Sequence, residues 1–192
     1  MIKVIAFDYA GVVSPGPMTE WVKTYLDIRS RFFIHNRKSM SQWRVKKLFL
    51  DKSYAILSTI VRYPQGVIWG TLYDRAGLNQ DVLEIIKGLK KNYKVVLFSN
   101  FLGDVLRKLL KKHDAEEFFD EIIISSEHKT KKPNPEFFDV LIRISGVKKD
   151  EILFIDDTKR NFEAAKEFGI NAILYRDSET LKKELERLKI SL

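Results

Sequence analysis

Three short apolar runs of the sequence end in side chains that can do chemistry. In chain order, the runs are followed by Asp8, by Ser99 with Asn100, and by Asp156 with Asp157. Apolar runs of this length that are rich in β-branched residues are typical of strands buried on both faces of a parallel sheet. Open α/β sheets bind ligands at the carboxyl ends of their strands. The sequence therefore predicts that three carboxylates, a hydroxyl group and an amide group share one edge of a sheet.

A cation must accompany the carboxylates of Asp8, Asp156 and Asp157. At an effective dielectric constant of about 20, charges that close repel one another by several kcal/mol. The sequence contains no cysteine, so the available metal ligands are oxygen atoms and histidine. Mg²⁺ suits oxygen ligands, because it binds through one or two carboxylates and keeps water or substrate oxygens as its other ligands. The alternative for one acid of the Asp156 and Asp157 pair is to cap the following helix or to pair with Lys132.

These segments, in this order, resemble the four motifs of the haloacid dehalogenase superfamily of hydrolases. The matching stretches are Asp8-Tyr9-Ala10-Gly11-Val12, residues 95–100, Lys132-Pro133 and residues 154–161. The resemblance implies an α/β fold with a three-layer, Rossmann-like parallel sheet and a small, mainly helical cap inserted after the first strand. It implies a core domain of residues 1–13 and 79–192, and a cap of residues 14–78.

The resemblance also implies how these residues act on a phosphate ester. Asp8 would be the nucleophile that forms an aspartyl-phosphate, and Lys132 would neutralise the phosphoryl oxygens together with Mg²⁺. Lys132 fits this role better than Lys131, because it directly precedes the proline of the third motif. Ser99 and Asn100 would bind phosphate oxygens through a hydroxyl, an amide and backbone N–H groups that enter a helix.

The implied metal site is built from oxygen atoms of the first and fourth motifs. Asp8 and Asp157 would bind Mg²⁺ directly, and the backbone carbonyl of Ala10 would supply another ligand. Asp156 would bind the metal through water or orient Lys132. The expected cofactor is therefore Mg²⁺.

Position 10 departs from the pattern of the superfamily, whose first motif has a second aspartate where this chain has Ala10. Alanine can neither donate nor accept the proton of a leaving group. Tyr9 cannot take over, because strand alternation directs it to the opposite face. His128 is a candidate donor, because histidine is a common general acid in enzymes and this one precedes Lys132 by a few residues, although a lone loop histidine is more often incidental.

Two alternatives to an ordinary phosphatase follow from Ala10. The chain could be a catalytically impaired member that binds a phosphate ligand or a protein partner. It could instead resemble the phosphonoacetaldehyde hydrolases, which share the D-x-A-G pattern and cleave a C–P bond with a lysine of the cap. The candidate lysines in the corresponding segment are Lys23, Lys38, Lys46, Lys47 and Lys52.

Alternating strand and helix patterns must position the chemical groups. Strands are predicted at residues 2–7, 95–98, 122–124, 152–155 and 172–175, and core helices at residues 81–91, 104–112, 136–145, 159–168 and 179–188. Such alternation predicts a parallel sheet with right-handed crossovers. In the predicted cap, aromatic residues such as Trp21, Trp43 and Trp69 are interpreted as core rather than as a substrate pocket.

Composition narrows the class of partner. The chain has 34 Lys and Arg against 26 Asp and Glu, a formal net charge of +8. These charges are dispersed rather than gathered in one tract, so we expect a solvated surface and no nucleic-acid partner. Neither a membrane helix nor a signal peptide is expected, and the lack of cysteine favours the cytoplasm. The expected partner is a small phosphorylated substrate, and the sequence indicates no oligomeric state.

Overall fold

The computed structural model describes residues 1–15, 73–74 and 77–192. The chain divides into two units, Met1–Gly16 with Gly77–Leu192, and Pro17–Ala76. The helical cap at residues 14–78 falls almost entirely outside the described residues, as do its tryptophans and candidate lysines. The cap and its boundaries therefore stay a prediction.

The described residues form one fully parallel sheet of five strands. The strands are β1 (Val4–Phe7), β2 (Lys94–Ser99), β3 (Glu121–Ile124), β4 (Ile152–Asp156) and β5 (Asn171–Leu174). Their order is β3-β2-β1-β4-β5, so β1 is the central strand. The chain places β2 and β3 on one side of β1, and then crosses to place β4 and β5 on the other side. The carboxyl end of β1 is therefore a topological switch point. The predicted α/β class with a Rossmann-like parallel sheet is confirmed.

Helices connect these strands. They are α1 (Gln80–Leu89), α2 (Gly103–Lys112), α3 (Ser125–His128), α4 (Pro135–Ser145), α5 (Lys159–Phe168) and α6 (Ser178–Arg187), with 3₁₀ turns at Glu116–Phe118 and Lys149–Glu151. Five of the α-helices and all five strands lie within two residues of the predicted positions. The short helix α3 was not predicted. Its serines accept hydrogen bonds from the β2–α2 segment, with Phe101 N bound to Ser125 Oγ and Gly103 N bound to Ser126 Oγ.

Local signals explain why α4 begins and ends where it does. Asn134 occupies the N-cap position with an extended backbone, and Pro135 is the first helical residue, although the Asn134 side chain makes no capping hydrogen bond. Proline suits this position, because its missing N–H would have no partner inside the helix. Gly146 ends the helix with φ of +73°, a conformation that glycine adopts without steric cost.

An aromatic cluster beneath the carboxyl edge of the sheet supports the site described next. The ring centroids of Phe98 and Phe137 lie 4.3 Å apart, and those of Phe98 and Phe154 lie 5.7 Å apart. These three rings and Phe138 are fully buried. Burying each such side chain is worth about 1.5–3 kcal/mol, so the cluster gives the strand ends a rigid base.

Candidate active site

The carboxyl ends of β1, β2 and β4 reach the same edge of the sheet. Phe7, the last residue of β1, pairs with Leu97 of β2 on one side and with Ile155 of β4 on the other. The residues that follow each pairing therefore emerge side by side. The structure brings together five of the predicted site residues, Asp8, Ser99, Lys132, Asp156 and Asp157.

The carboxylate of Asp8 is held by one of its two oxygens. Oδ1 accepts hydrogen bonds from the backbone N–H of Tyr9 at 2.7 Å and from the hydroxyl of Ser99 at 2.9 Å. The same oxygen lies 3.0 Å from Lys132 Nζ. Within the described ranges, Oδ2 has no hydrogen bond or ion pair. Asp8 is only 6% exposed. Its environment therefore orients one oxygen and leaves the other for chemistry.

Burial perturbs the acids of this edge. It raises the pKa of Asp8 to about 6, with Lys132 acting in the opposite direction and Asp156 adding to the rise. Burial and the charge of Asp156 also raise the pKa of Asp157. Desolvation disfavours a charged carboxylate unless an opposite charge lies close. Among the described residues, Lys132 is the cation that lies in contact with Asp8.

Lys132 is a buried cation that joins three strands. Its ammonium group donates to Asp156 Oδ2 at 2.7 Å and to the carbonyl oxygen of Phe98 at 2.9 Å, in addition to its 3.0 Å contact with Asp8. An ammonium group has three N–H donors, so each of its protons has a partner. The side chain is 2% exposed and lies over the rings of Phe98 and Phe154. The neighbouring Lys131 is exposed.

The side chain of Asn100 holds the backbone of Lys132. Asn100 Oδ1 accepts a hydrogen bond from Lys132 N at 2.8 Å, and Asn100 Nδ2 donates to Lys132 O at 2.9 Å. This pair of bonds joins segments 32 residues apart in the chain. Both ends of the amide are therefore engaged in placing Lys132. The predicted contact of Asn100 with phosphate stays a prediction.

Each carboxylate oxygen of Asp156 accepts two hydrogen bonds. Its Oδ1 accepts from Thr158 N at 2.7 Å and from Asn161 Nδ2 at 3.2 Å. Its Oδ2 accepts from Lys132 at 2.7 Å and from the same Asn161 group at 3.1 Å. The residue is fully buried. Two roles were predicted for Asp156, metal binding through water and orientation of Lys132. The 2.7 Å contact with Lys132 favours the second role.

Asn161 was missed as an individual site residue by the sequence reasoning, which placed it only inside the fourth motif. It lies in the first turn of α5, and it is 7% exposed. A polar side chain at a buried helix position needs hydrogen-bond partners. The sequence signal for the role of Asn161 is its position in a helix five residues after Asp156.

Asp157 lies against the loop that follows β1. Its Oδ1 accepts a hydrogen bond from Thr158 Oγ1 at 3.2 Å. Gly11 has φ of +84°, and a Cβ atom at Gly11 would overlap the carboxylate of Asp157. The glycine therefore permits the close approach of this loop to the acid. Ala10 lies in the same loop, where Ser14 N donates to Tyr9 O and Gly11 N donates to Ser14 O, both at 2.8 Å.

The donor set fits a hard divalent cation. Asp8, Asp156 and Asp157 each offer an oxygen atom, and these atoms all lie within 4.8 Å of one another. Carboxylate oxygens are the ligands that Mg²⁺ prefers. The predicted contribution of the Ala10 carbonyl stays a prediction.

The rings of two residues considered as proton donors lie near aromatic side chains. The ring of Tyr9 is fully buried and meets Phe101 edge to face, with centroids 5.7 Å apart. The ring of His128, in α3, lies 6.3 Å from that of Phe137. Neither side chain is among the described hydrogen-bond or ion-pair partners of the Asp8 carboxylate.

The parallel α/β sheet, with a buried lysine and three carboxylates at its switch point, places the chain among Rossmann-like α/β hydrolases. Residues 70–175 match the model of the haloacid dehalogenase-like hydrolase family, and the chain belongs to this family. Among its described residues, none of the helices is long and apolar enough to cross a membrane.

Similar proteins include phosphatases. The chain is 26% identical to a D-ribitol-5-phosphate phosphatase of Bacteroides thetaiotaomicron over 96% of its own length and 97% of the relative. It is 25% identical to a sesquiterpene phosphatase of Aspergillus oryzae, covering 97% and 96% of the two chains.

Solved structures share the fold. A HAD-like family hydrolase of Porphyromonas gingivalis superposes with a TM-score of 0.64 at 22% identity, over 98% of both chains. An Asp-to-Ala mutant of a HAD family enzyme of Bacteroides thetaiotaomicron, in complex with magnesium and inorganic phosphate, gives a TM-score of 0.63 at 22% identity. That match covers 94% of this chain and 99% of the other.

Proposed function

We propose that this protein is a Mg²⁺-dependent phosphatase of a small phosphorylated metabolite and that it works through an aspartyl-phosphate on Asp8. The observation that carries the proposal is the carboxylate of Asp8, with three donors on Oδ1 and an Oδ2 that has no partner among the described residues. The phosphatases among its relatives support the same reaction class.

In the first step, Oδ2 of Asp8 attacks phosphorus. The bond from phosphorus to the leaving oxygen breaks, and the phosphoryl group is left on the carboxylate. In the second step, a water molecule attacks the same phosphorus, which releases inorganic phosphate and regenerates the carboxylate. A Mg²⁺ ion held by Asp8, Asp157 and the carbonyl of Ala10 would neutralise charge on the phosphoryl oxygens, and so make attack by an anion feasible.

The protein contributes orientation and a fixed positive charge. Lys132 and Ser99 hold Oδ1, so the carboxylate cannot rotate away from an incoming phosphorus atom. Asp156 holds the ammonium group of Lys132, and Asn161 with Thr158 N holds Asp156. Groups positioned in advance lower the barrier, because no reorganisation is needed during the reaction.

A phosphate-release screen over many phosphorylated metabolites tests the proposal. We expect release with Mg²⁺ and none with EDTA, and we expect Asp8→Asn to abolish it. Asp139→Asn, at an exposed position of α4, is the matched control and should keep full activity. Full activity of Asp8→Asn would refute the covalent mechanism.

A second candidate is a catalytically impaired protein that binds a phosphate ligand. Ala10 favours it, because position 10 offers only a methyl group beside the nucleophile. In that case no substrate would be turned over with Mg²⁺, while inorganic phosphate or beryllofluoride would still raise the melting temperature. If any substrate is turned over and Asp8→Asn abolishes that turnover, this candidate is excluded.

A further inference from the structure

The side-chain donors around Asp8 already use their protons in hydrogen bonds. All three N–H groups of Lys132 are engaged, by Asp8, by Asp156 and by the carbonyl of Phe98. The hydroxyl of Ser99 donates to Asp8 itself. A proton passed from Lys132 to a leaving group would also leave two buried carboxylates without their cation, which is costly.

Of the two other carboxylates at this edge, Asp157 is proposed to hold Mg²⁺, and Asp156 is already engaged by hydrogen bonds. Asp156 is fully buried, and it accepts hydrogen bonds at both oxygens from Lys132, Thr158 N and Asn161. In each of these contacts an Asp156 oxygen is the acceptor.

Position 10, two residues after Asp8, carries only a methyl group. The backbone there is extended enough for Ala10 to form a β-bridge with Ser14. Ala10 is partly exposed, whereas Tyr9, between Asp8 and Ala10, is fully buried. In the described segment that follows Asp8, position 10 therefore supplies no group that could donate a proton.

We propose, resting on the phosphatase function proposed above, that this enzyme is restricted to phosphates whose leaving group departs without a proton. When the bond from phosphorus to oxygen breaks, its electron pair stays on the leaving oxygen, which departs as an anion and later takes a proton from solvent. The substrate class is therefore acyl phosphates, aryl phosphates and phosphoanhydrides. Their leaving groups are at least as acidic as a phenol, with a pKa of about 10 or below. Alkyl phosphates are poor substrates.

This proposal separates the chain from one of its relatives. D-Ribitol 5-phosphate, named in the activity of the Bacteroides thetaiotaomicron protein, is an alkyl phosphate. Help from a general acid is typically worth about 10²- to 10⁴-fold in rate. We therefore expect this chain to hydrolyse D-ribitol 5-phosphate at least about 10²-fold more slowly than an aryl phosphate.

The experiment measures kcat/KM with Mg²⁺ for acetyl phosphate, a series of substituted phenyl phosphates, glycerol phosphate and D-ribitol 5-phosphate. We expect log kcat/KM of the wild type to fall steeply as the pKa of the leaving group rises. Ala10→Asp should raise the rates of the two alkyl phosphates more than those of the aryl phosphates. Ala10→Asn, of the same size but without an acidic proton, is the matched control and should raise neither.

The outcomes separate this inference from the function on which it rests. No turnover of any ester, acetyl phosphate included, would overturn the phosphatase proposal itself. Turnover with a flat dependence on the leaving group would overturn the inference alone and would point to a donor elsewhere in the chain. If Ala10→Asp does not fold, the wild-type slope decides, together with a solvent isotope effect on kcat/KM, which should be close to one when no proton moves in the step.

Discussion

Replacing Lys132 with methionine should lower the free energy of unfolding of the metal-free protein by about 3–5 kcal/mol. The substitution keeps the buried chain length and removes the charge. Three hydrogen bonds disappear, to Asp8, Asp156 and the Phe98 carbonyl. Hydrogen bonds to charged groups are worth about 1.5–3 kcal/mol each, and the carboxylates regain part of this by taking up protons. The expected loss therefore stays near the range for breaking a buried ion pair.

Urea unfolding followed by circular dichroism at neutral pH, with EDTA present, measures this loss. Lys131→Met is the matched control, since Lys131 is the exposed neighbour of Lys132. A surface substitution of this kind changes stability by about 0.5 kcal/mol or less. A loss below about 1 kcal/mol for Lys132→Met, or equal losses for the two variants, would refute the reasoning from burial and ion pairing.

A double-mutant cycle separates the ion pair from the packing of the side chain. Asp156→Asn removes the carboxylate that lies 2.7 Å from the ammonium group. The double variant Lys132→Met with Asp156→Asn should lose less than the sum of the two single variants, by about 0.5–3 kcal/mol, as contacting residues do. Simple additivity would show that the pair contributes no energy of its own.

Three further predictions concern the metal, the loop of Lys132 and pH. Mg²⁺ should raise the melting temperature, because it binds the folded state. Asp157→Asn should reduce this rise. An unchanged melting temperature of the wild type at saturating Mg²⁺ would contradict the proposed metal site. Asn100→Ala should cost about 1–3 kcal/mol in urea unfolding through the loss of both bonds to Lys132, whereas Asn134→Ala, which removes no capping bond, should cost less. In EDTA, the folded pKa of Asp8 lies above its ordinary value of 3.8, at about 6. The folded state therefore binds the proton more tightly, and the contribution of Asp8 to stability should fall as pH rises from about 4 to about 6. Asp8→Asn should remove this part of the pH dependence of urea unfolding.

The fold could be predicted from the sequence because its signals are local and repeated. Apolar runs such as residues 152–155 are buried on both faces of the sheet, and this burial leaves little choice of strand position. The helix α4 carries its own start and end signals in Pro135 and Gly146. The exception is α3, which is only four residues long. Helices this short are not stable by themselves, and its serines are held by bonds to a segment more than 20 residues away.

The candidate site was predictable in its members and less so in their roles. Strand ends place Asp8, Ser99 and Asp156 at one edge whatever their hydrogen bonds are. The roles of Asn100 and Asn161 depend on tertiary contacts, because each side chain is consumed by a partner that local pattern does not reveal. The same applies to Lys132, whose third partner is a backbone carbonyl and thus has no sequence signature.

The contacts of the Lys132 ammonium group also affect local opening at the carboxyl ends of β1, β2 and β4. This group is bound to the residue after β1, to a carbonyl of β2 and to the last residue of β4. The loop that carries Lys132 therefore cannot open alone, because its departure breaks a contact with each of three neighbouring strands. Amide hydrogens at these three strand ends should exchange with solvent through one shared opening event, and Lys132→Met should raise their exchange rates.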